Sequence, residues 1–222
     1  MSILGKRNKS QVDISHFRHE YLKSGLKHED LFPDPVQQFS HWFSQAKDTD
    51  IPDPNAMVLS TVGNDGQPSQ RTVLLKYFDK EGFVFFTNKA SRKAREMAEN
   101  SKVNLHFVWL ELERQISISG LATPISATES ARYFMSRPRN SQIAAWVSNQ
   151  SSAISSRNLL MQKFKEMKDK FRNGDVPLPS FWGGYRVSPS SIEFWQGREN
   201  RLHDRFLYTP TGGSWQVKRL AP

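Results

Sequence analysis

The 222-residue chain has no cysteine. That excludes disulfides, thiol catalysis, cysteine-ligated zinc and iron–sulfur clusters. No apolar run approaches the ~18 residues that a membrane-spanning helix needs. The N-terminus is polar and lacks the apolar segment of a secretory signal, so a cytoplasmic protein is expected. No glycine-rich phosphate loop of the dinucleotide or P-loop type occurs, so side chains must hold any anion. His16 and His19 are too isolated for a metal site, and no metal is expected. Acidic residues are outnumbered: Asp+Glu total 22 against 31 Lys+Arg, a formal net charge of +9. Such a balance favours anionic partners: nucleic acid, a phosphorylated ligand or an acidic surface. The hydrophobic share of 37% and aromatic share of 12% are too rich for a disordered chain. The length suits one large domain or two small ones.

Residues 1–12 are polar and read as a frayed tail. Ile14, Phe17 and Tyr21 have helical spacing, with Gly25 as a stop. Asp34-Pro35 reads as a cap and first turn, followed by Val36, Phe39, Phe43 and Ala46 on one face. From Met57 the pattern becomes a meander of short strands. Met57–Val62, Arg71–Phe78 and Phe83–Thr87 are separated by turns at Asn64-Asp65-Gly66 and Lys80-Glu81-Gly82. A short helix capped by Ser91 precedes strands over Lys102–Leu110 and Arg114–Ala122. Ser126-x-x-Glu129 opens a helix that should stop before Pro138. Ser141–Val147 and Arg157–Arg172 are further helices, the latter with Leu160, Phe164, Met167 and Phe171 as its apolar stripe. Strands return over Trp182–Val187, Ile192–Gln196, Arg205–Tyr208 and Trp215–Leu220. About eight antiparallel strands interrupted by helices suggest an α+β chain built on a closed or nearly closed barrel.

Four constellations carry candidate chemistry. In Arg71-Thr72-Val73-Leu74-Leu75-Lys76 two cations bracket a strand and fall on opposite faces if it is regular; an ordinary strand with charged ends fits as well. Thr87-Asn88 with Ser91-Arg92-Lys93 places a hydroxyl, two cations and a helix start together, as a phosphate pocket or a solvated basic turn. Tyr133, Arg137, Arg139 and Ser141 combine bidentate cations with neutral donors, unless they only end a helix. The densest run is Glu193-Phe194-Trp195-Gln196-Gly197 followed by Arg201-Leu202-His203-Asp204-Arg205. On an extended chain Arg201, His203 and Arg205 point one way, which suits a multiply charged polar ligand.

These clusters, with Ser136-Arg137-Pro138-Arg139, Ala145-Trp146-Val147-Ser148 and Pro177-Leu178-Pro179-Ser180-Phe181-Trp182-Gly183-Gly184, resemble the pyridoxamine 5'-phosphate oxidase family. The likeness covers nearly everything from Ser15 to Pro222, and the Arg201–Arg205 run is its most specific part. The resemblance implies an antiparallel split β-barrel of the FMN-binding type. It implies a flexible tail over 1–14, one domain over 15–222 and a homodimer with FMN at the subunit interface. The implied FMN contacts are Arg71, Thr72, Val73, Leu74, Leu75, Lys76, Phe86, Thr87, Arg92, Lys93, Gln115, Gln150, Ser151, Trp195 and Arg205. The implied substrate contacts are Arg18, Tyr21, Lys76, Tyr133, Arg137, Ser141, Arg201, Leu202 and His203, with Arg201 and His203 beside the reacting ring. Phe86 stands where some members have tyrosine, which would spare a backbone contact but not a hydroxyl contact.

The implied reaction oxidises pyridoxamine or pyridoxine 5'-phosphate to pyridoxal 5'-phosphate. O2 becomes H2O2, and the amine substrate releases ammonia. The residues agree on two counts. They ask for two anion sites, and a chain without cysteine or metal needs a cofactor for electron chemistry. Rival readings are a flavin or deazaflavin reductase on the same fold, a haem-handling relative, a non-catalytic pyridoxal-phosphate carrier and a nucleic-acid-binding module. A nucleic-acid binder would want its cations in a continuous stripe, whereas many here cluster with Tyr, Ser and His.

Overall fold

The computed structural model describes residues 14, 20–147 and 150–222. Nine strands form one curled antiparallel sheet with the order β2-β1-β5-β6-β7-β4-β3, and β8 and β9 continue from β7. The strands are β1 (Ala56–Val62), β2 (Pro68–Leu74), β3 (Tyr77–Asp79), β4 (Gly82–Asn88), β5 (Lys102–Trp109), β6 (Arg114–Pro124), β7 (Trp182–Gln196), β8 (Asp204–Thr211) and β9 (Ser214–Leu220). The helices are α1 (Pro35–Lys47), α2 (Arg92–Glu99), α3 (Ala127–Ser136), α4 (Arg139–Val147) and α5 (Arg157–Lys170). Among the described residues no helix is long and apolar enough to cross a membrane.

The start signals lie where the sequence puts them. Asp34 caps α1 by accepting from Val36 N, and Ser126 caps α3 by accepting from Glu129 N. Phe39 and Trp42 of α1 are fully buried against Phe83, Phe107 and Phe194 of the sheet. A second, smaller core joins Phe134, Ile143, Phe171, Val176 and Trp182, tying α3 and α4 to the start of β7. That core positions the site described below. Of the stripe expected on α5, Phe164 and Met167 only pack against this core from outside, so α5 is peripheral.

β7 is the spine, and here the structure departs from the two separate strands expected. Its first half pairs with β4 up to Val187, and its second half pairs with β8 from Ile192. Pro189 falls in the gap between those ladders, where its missing N–H breaks no bond. On the other edge Pro189 lies opposite Gly120, at a register shift in β6. A Cβ on Gly120 would come within 2.3 Å of the Ser188 carbonyl, so glycine is required there.

Two other expectations are corrected. The helix read from Ile14, Phe17 and Tyr21 is absent over the described residues 20–27; Phe17 lies outside them. The N–H groups of Leu22 and Lys23 go to the Glu113 carboxylate, and that of Leu26 goes to Asp204, instead of to carbonyls one turn back. The Arg71–Phe78 strand is broken at Leu75-Lys76, where Lys76 N bonds to Val84 O and the chain crosses to β3.

Candidate functional site

A cleft of about 540 Å3 opens between the end of β2, the end of β4 and the α3–α4 corner. Among the described residues three cations line it, Lys76, Lys93 and Arg137, and no carboxylate does. Thr72, Val73 and Leu74 at the end of β2 line this cleft, and Lys76 reaches it from the break that follows the strand, while Arg71 bonds on the other side to Glu96. Tyr133 stacks on Phe86 at 4.0 Å, and Phe86 stacks on Trp182 at 5.0 Å, forming an aromatic wall. The Arg137 guanidinium lies 4.9 Å over the Trp182 ring. Its Nη1 is buried and has no hydrogen-bond partner among the described residues. Burial lowers the Arg137 pKa. Burial, then repulsion from Arg137, lowers that of Lys76. Burial raises that of Tyr133, which keeps its hydroxyl a proton donor. Ser141 adds a hydroxyl at the first turn of α4.

One end of the cleft is an anion corner. Ser91 caps α2 by accepting from Ala94 N. Lys93, only 8% exposed, donates to Gln150 Oε1 at 2.9 Å and to Thr87 Oγ1 at 3.2 Å. Arg92 N donates to Ser151 Oγ at 3.2 Å. Burial, then the Arg71 charge, lowers the Lys93 pKa, and a bound anion would relieve the repulsion.

Behind this corner sits Glu96, which the sequence reading missed. It accepts from Thr61 at 2.5 Å, Ser69 at 2.6 Å and Arg92 Nε at 2.6 Å, and pairs with Arg71 at 3.3 Å. Burial alone would raise its pKa, but the bonds from Ser69, Thr61 and Arg92 pull it from 4.5 down to about 2. The spacing Arg92–Glu96, one helical turn, was the available signal. A depressed carboxylate stabilises the fold above its unfolded pKa and loses that contribution as pH falls through the folded value. Glu96→Gln is therefore expected to lower stability at pH 7 by about 3 kcal/mol, with the deficit shrinking between pH 4.5 and 2. Urea unfolding at several pH values checks this, and a pH-independent difference would contradict it.

A second pocket, of about 310 Å3, is lined by His106, Gln115, Ser117, Glu193, Trp195, Arg205 and Pro222. Arg205 Nε pairs with Glu193 at 2.7 Å, and that hydrogen bond raises its pKa. Beside it, the His203 ring lies 4.5 Å from the Trp195 ring. Tyr21 meets both edge-on, at 5.6 Å from Trp195 and 5.3 Å from His203. His203 Nδ1 accepts from Arg198 N at 3.1 Å, so the neutral ring carries its proton on Nε2. Burial, then the charges of Arg201 and Arg205, lower its pKa and keep the ring neutral at pH 7.

Arg201 and Leu202 are exposed, and Arg201 has φ 62 at the end of a short 3-10 turn. The extended run expected from Arg201 to Arg205 therefore begins only at Asp204. Arg18 lies outside the described residues. His106 and Glu193 also line this pocket without having been singled out as binding residues.

Many of the expected binding residues line one of two pockets, whereas Leu75 is buried in the main core and Leu202 lines a third pocket. Thr72, Val73, Leu74, Lys76, Phe86, Thr87, Lys93, Tyr133, Arg137, Ser141 and Gln150 share the cleft. Gln115, Trp195 and Arg205 share the second pocket. β7 runs from Trp182 in the first to Trp195 in the second, a contour of roughly 40 Å at about 3.3 Å per residue.

Residues 43–171 match the family model for pyridoxamine 5'-phosphate oxidase, and residues 182–222 match that for the pyridoxine 5'-phosphate oxidase C-terminal dimerisation region. A pyridoxine/pyridoxamine 5'-phosphate oxidase of Shewanella sp. (strain MR-4) is 60% identical over 95% of this chain and all of its own length. The relative from Shewanella oneidensis is also 60% identical over the same shares. Among solved structures, PhzG from Burkholderia lata, in complex with tetrahydrophenazine-1-carboxylic acid, superposes with a TM-score of 0.85 at 28% identity, covering 92% of this chain and 100% of that one. An FMN-binding protein of Nostoc punctiforme, related to pyridoxamine 5'-phosphate oxidase, shares the fold at a TM-score of 0.67 and 14% identity, over 84% of this chain and 96% of that one. With a curled antiparallel sheet, a cation-lined cleft and both family models matched in order, this chain belongs to the pyridoxamine 5'-phosphate oxidase family.

Proposed function

We propose that the cleft and the second pocket are the two halves of one FMN and substrate site, completed when two copies of the chain pair. The protein oxidises pyridoxine 5'-phosphate or pyridoxamine 5'-phosphate to pyridoxal 5'-phosphate, with FMN as cofactor and O2 as acceptor. It carries the family's C-terminal dimerisation region over residues 182–222. A cytoplasmic location, and a single folded unit over 15–222 behind a tail of 1–14, belong to the same reading.

The observation that carries the site assignment is the buried, unpartnered Nη1 of Arg137 in a cleft with three cations and no carboxylate. Such a group is costly unless a ligand supplies the missing acceptor. The donor set fits FMN and a second phosphate. Lys93, Thr87, Gln150, Ser151 and the α2 amide of Arg92 hold the cofactor phosphate, backed by Arg71. Lys76, Tyr133, Arg137 and Ser141 hold the substrate phosphate. From the second chain, Gln115, Trp195 and Arg205 meet the flavin ring, and Arg201, Leu202, His203, Tyr21 and Arg18 enclose the substrate.

Bound in this site, FMN would supply the redox chemistry, a two-electron oxidation at the substrate C4' carbon with O2 as the final acceptor. The protein's own part is orientation. The neutral His203 ring offers Nε2–H as a donor rather than a lone pair as a base. Arg201 lends positive charge to the substrate's ring oxygen.

The test is anaerobic. Purified protein loaded with FMN is mixed with pyridoxamine 5'-phosphate, the flavin absorbance is followed, and air is then admitted. Bleaching, recovery and aldehyde formation are expected. Arg201→Leu is expected to slow bleaching by at least tenfold, one lost charged contact, while retaining FMN. A bound flavin that never bleaches would move the activity to another reductase or carrier of this fold.

A further inference from the structure

We infer that Glu113 is a positioning residue, a latch that holds the segment Glu20–Lys27 beside the end of β7 and so sets Tyr21 against His203 and Trp195. The inference rests on the functional reading above for what Tyr21 faces, and on the structure for the latch itself.

The segment has little apolar grip. Leu22, Lys23 and Ser24 are exposed, Tyr21 is half-buried, and Leu26 is the one buried residue between 20 and 27. It forms no strand or helix over 20–27. A stretch with so few apolar contacts opens easily unless its backbone is tied down. The ties come from far along the chain: Arg198 Nη1 donates to Lys23 O at 3.4 Å, and the others are carboxylates. Glu113 Oε1 accepts from Leu22 N at 3.1 Å, and its Oε2 accepts from Lys23 N at 2.9 Å. Asp204 accepts from Leu26 N at 3.0 Å, but it also pairs with Arg219 and so serves β9 as well.

Glu113 is built for this place. It is buried, at 6% exposure, and links the turn after β5 to the end of β7. Its carbonyl accepts from Gly197 N at 2.7 Å and from the Gln196 side chain at 3.2 Å. Thus one residue bonds the strap with its carboxylate and the Trp195–Gly197 run with its backbone. Its φ of 54 lies in the left-handed region, where glycine would be the less strained choice. The side chain must therefore contribute something that glycine cannot. Gly197 completes the seat: a Cβ there would lie 2.5 Å from the Tyr21 ring, so the ring rests directly on that backbone. Only Leu22, itself latched, separates the amide of Lys23 from Tyr21, too short a tether for the ring to wander while the latch holds.

The experiment compares FMN-loaded wild type, Glu113→Gln, Tyr21→Ala and the double variant. Glutamine keeps the size of the side chain but offers one acceptor oxygen in place of two. Three quantities are read: amide exchange at Leu22 and Lys23, the Kd for FMN, and KM for pyridoxamine 5'-phosphate. In Glu113→Gln the two amides are expected to exchange at least tenfold faster with the FMN Kd unchanged. KM is expected to rise about tenfold, the scale of one charged hydrogen bond. In the Tyr21→Ala background the same change is expected to add almost nothing, because the latch acts through Tyr21. Unchanged exchange overturns the latch. A parallel loss of FMN affinity, or additive effects in the double variant, reduces Glu113 to a general structural residue and overturns the positioning role. Absence of turnover in wild type is read separately: it overturns the functional reading and, with it, the role assigned to Tyr21.

Discussion

Arg137→Ala raises KM for pyridoxamine 5'-phosphate by roughly 30- to 150-fold, with a much smaller change in kcat. The magnitude follows from the site. A bidentate guanidinium–phosphate contact is worth about 2–3 kcal/mol, and each 1.4 kcal/mol is tenfold. The contact is made alike in ground and transition states, so its loss appears in KM. Among the described residues none competes for the group: Nη1 of Arg137 has no partner there and no carboxylate lines the cleft. The free enzyme thus gives up no internal bond to bind the ligand. Arg137→Lys restores charge but not the fork, nor the planar contact with Trp182, and should recover only part of the loss. Steady-state kinetics on both variants decide the matter. The non-phosphorylated amine is the control, since its slow turnover should be indifferent to residue 137. An unchanged KM for the phosphorylated substrate removes Arg137 from the phosphate site.

The same residue shows how far the sequence could be read. Arg137 was identifiable because Tyr133, Arg137 and Ser141 crowd donors around the Pro138 helix break, and the structure brings all three to one cleft. Capped helix starts were legible for the same reason: Ser91 and Ser126 each act on an amide three residues away. Long-range satisfaction was not legible. Nothing local predicts that Leu22 and Lys23 would send their amides to a carboxylate some 90 positions on, so an expected helix proved to be an extended strap. Ser188-Pro189-Ser190-Ser191 carries every local mark of a turn, yet β7 runs through it. The missing N–H of Pro189 falls where neither β4 nor β8 needs it. Arg71 teaches a third lesson. Its strand parity was readable, but Glu96, the partner that claims its guanidinium, comes from a helix the strand pattern cannot see.

The separation of the two pockets leads to the second large effect. β7 places Trp182 and Trp195 near opposite ends of one strand, each lining a different pocket. If each FMN spans a cleft from one protomer and a second pocket from its partner, the two sets of residues can be broken in different chains. Lys93→Ala damages the cleft half, and Arg205→Ala the other. Each variant alone is expected to lose nearly all activity at low FMN. Mixed after gentle denaturation and refolding, they form heterodimers in which one site carries both lesions and the other carries none. With random two-fold pairing, half the dimers are mixed, so about a quarter of wild-type sites return. Activity rising from near zero to about a quarter is a large signal, and no arrangement confined to one chain produces it. A site built within a single protomer gives no recovery at any mixing ratio. Titrating FMN into the mixture sharpens the test: the recovered fraction should bind with wild-type affinity, because its one intact site lacks nothing.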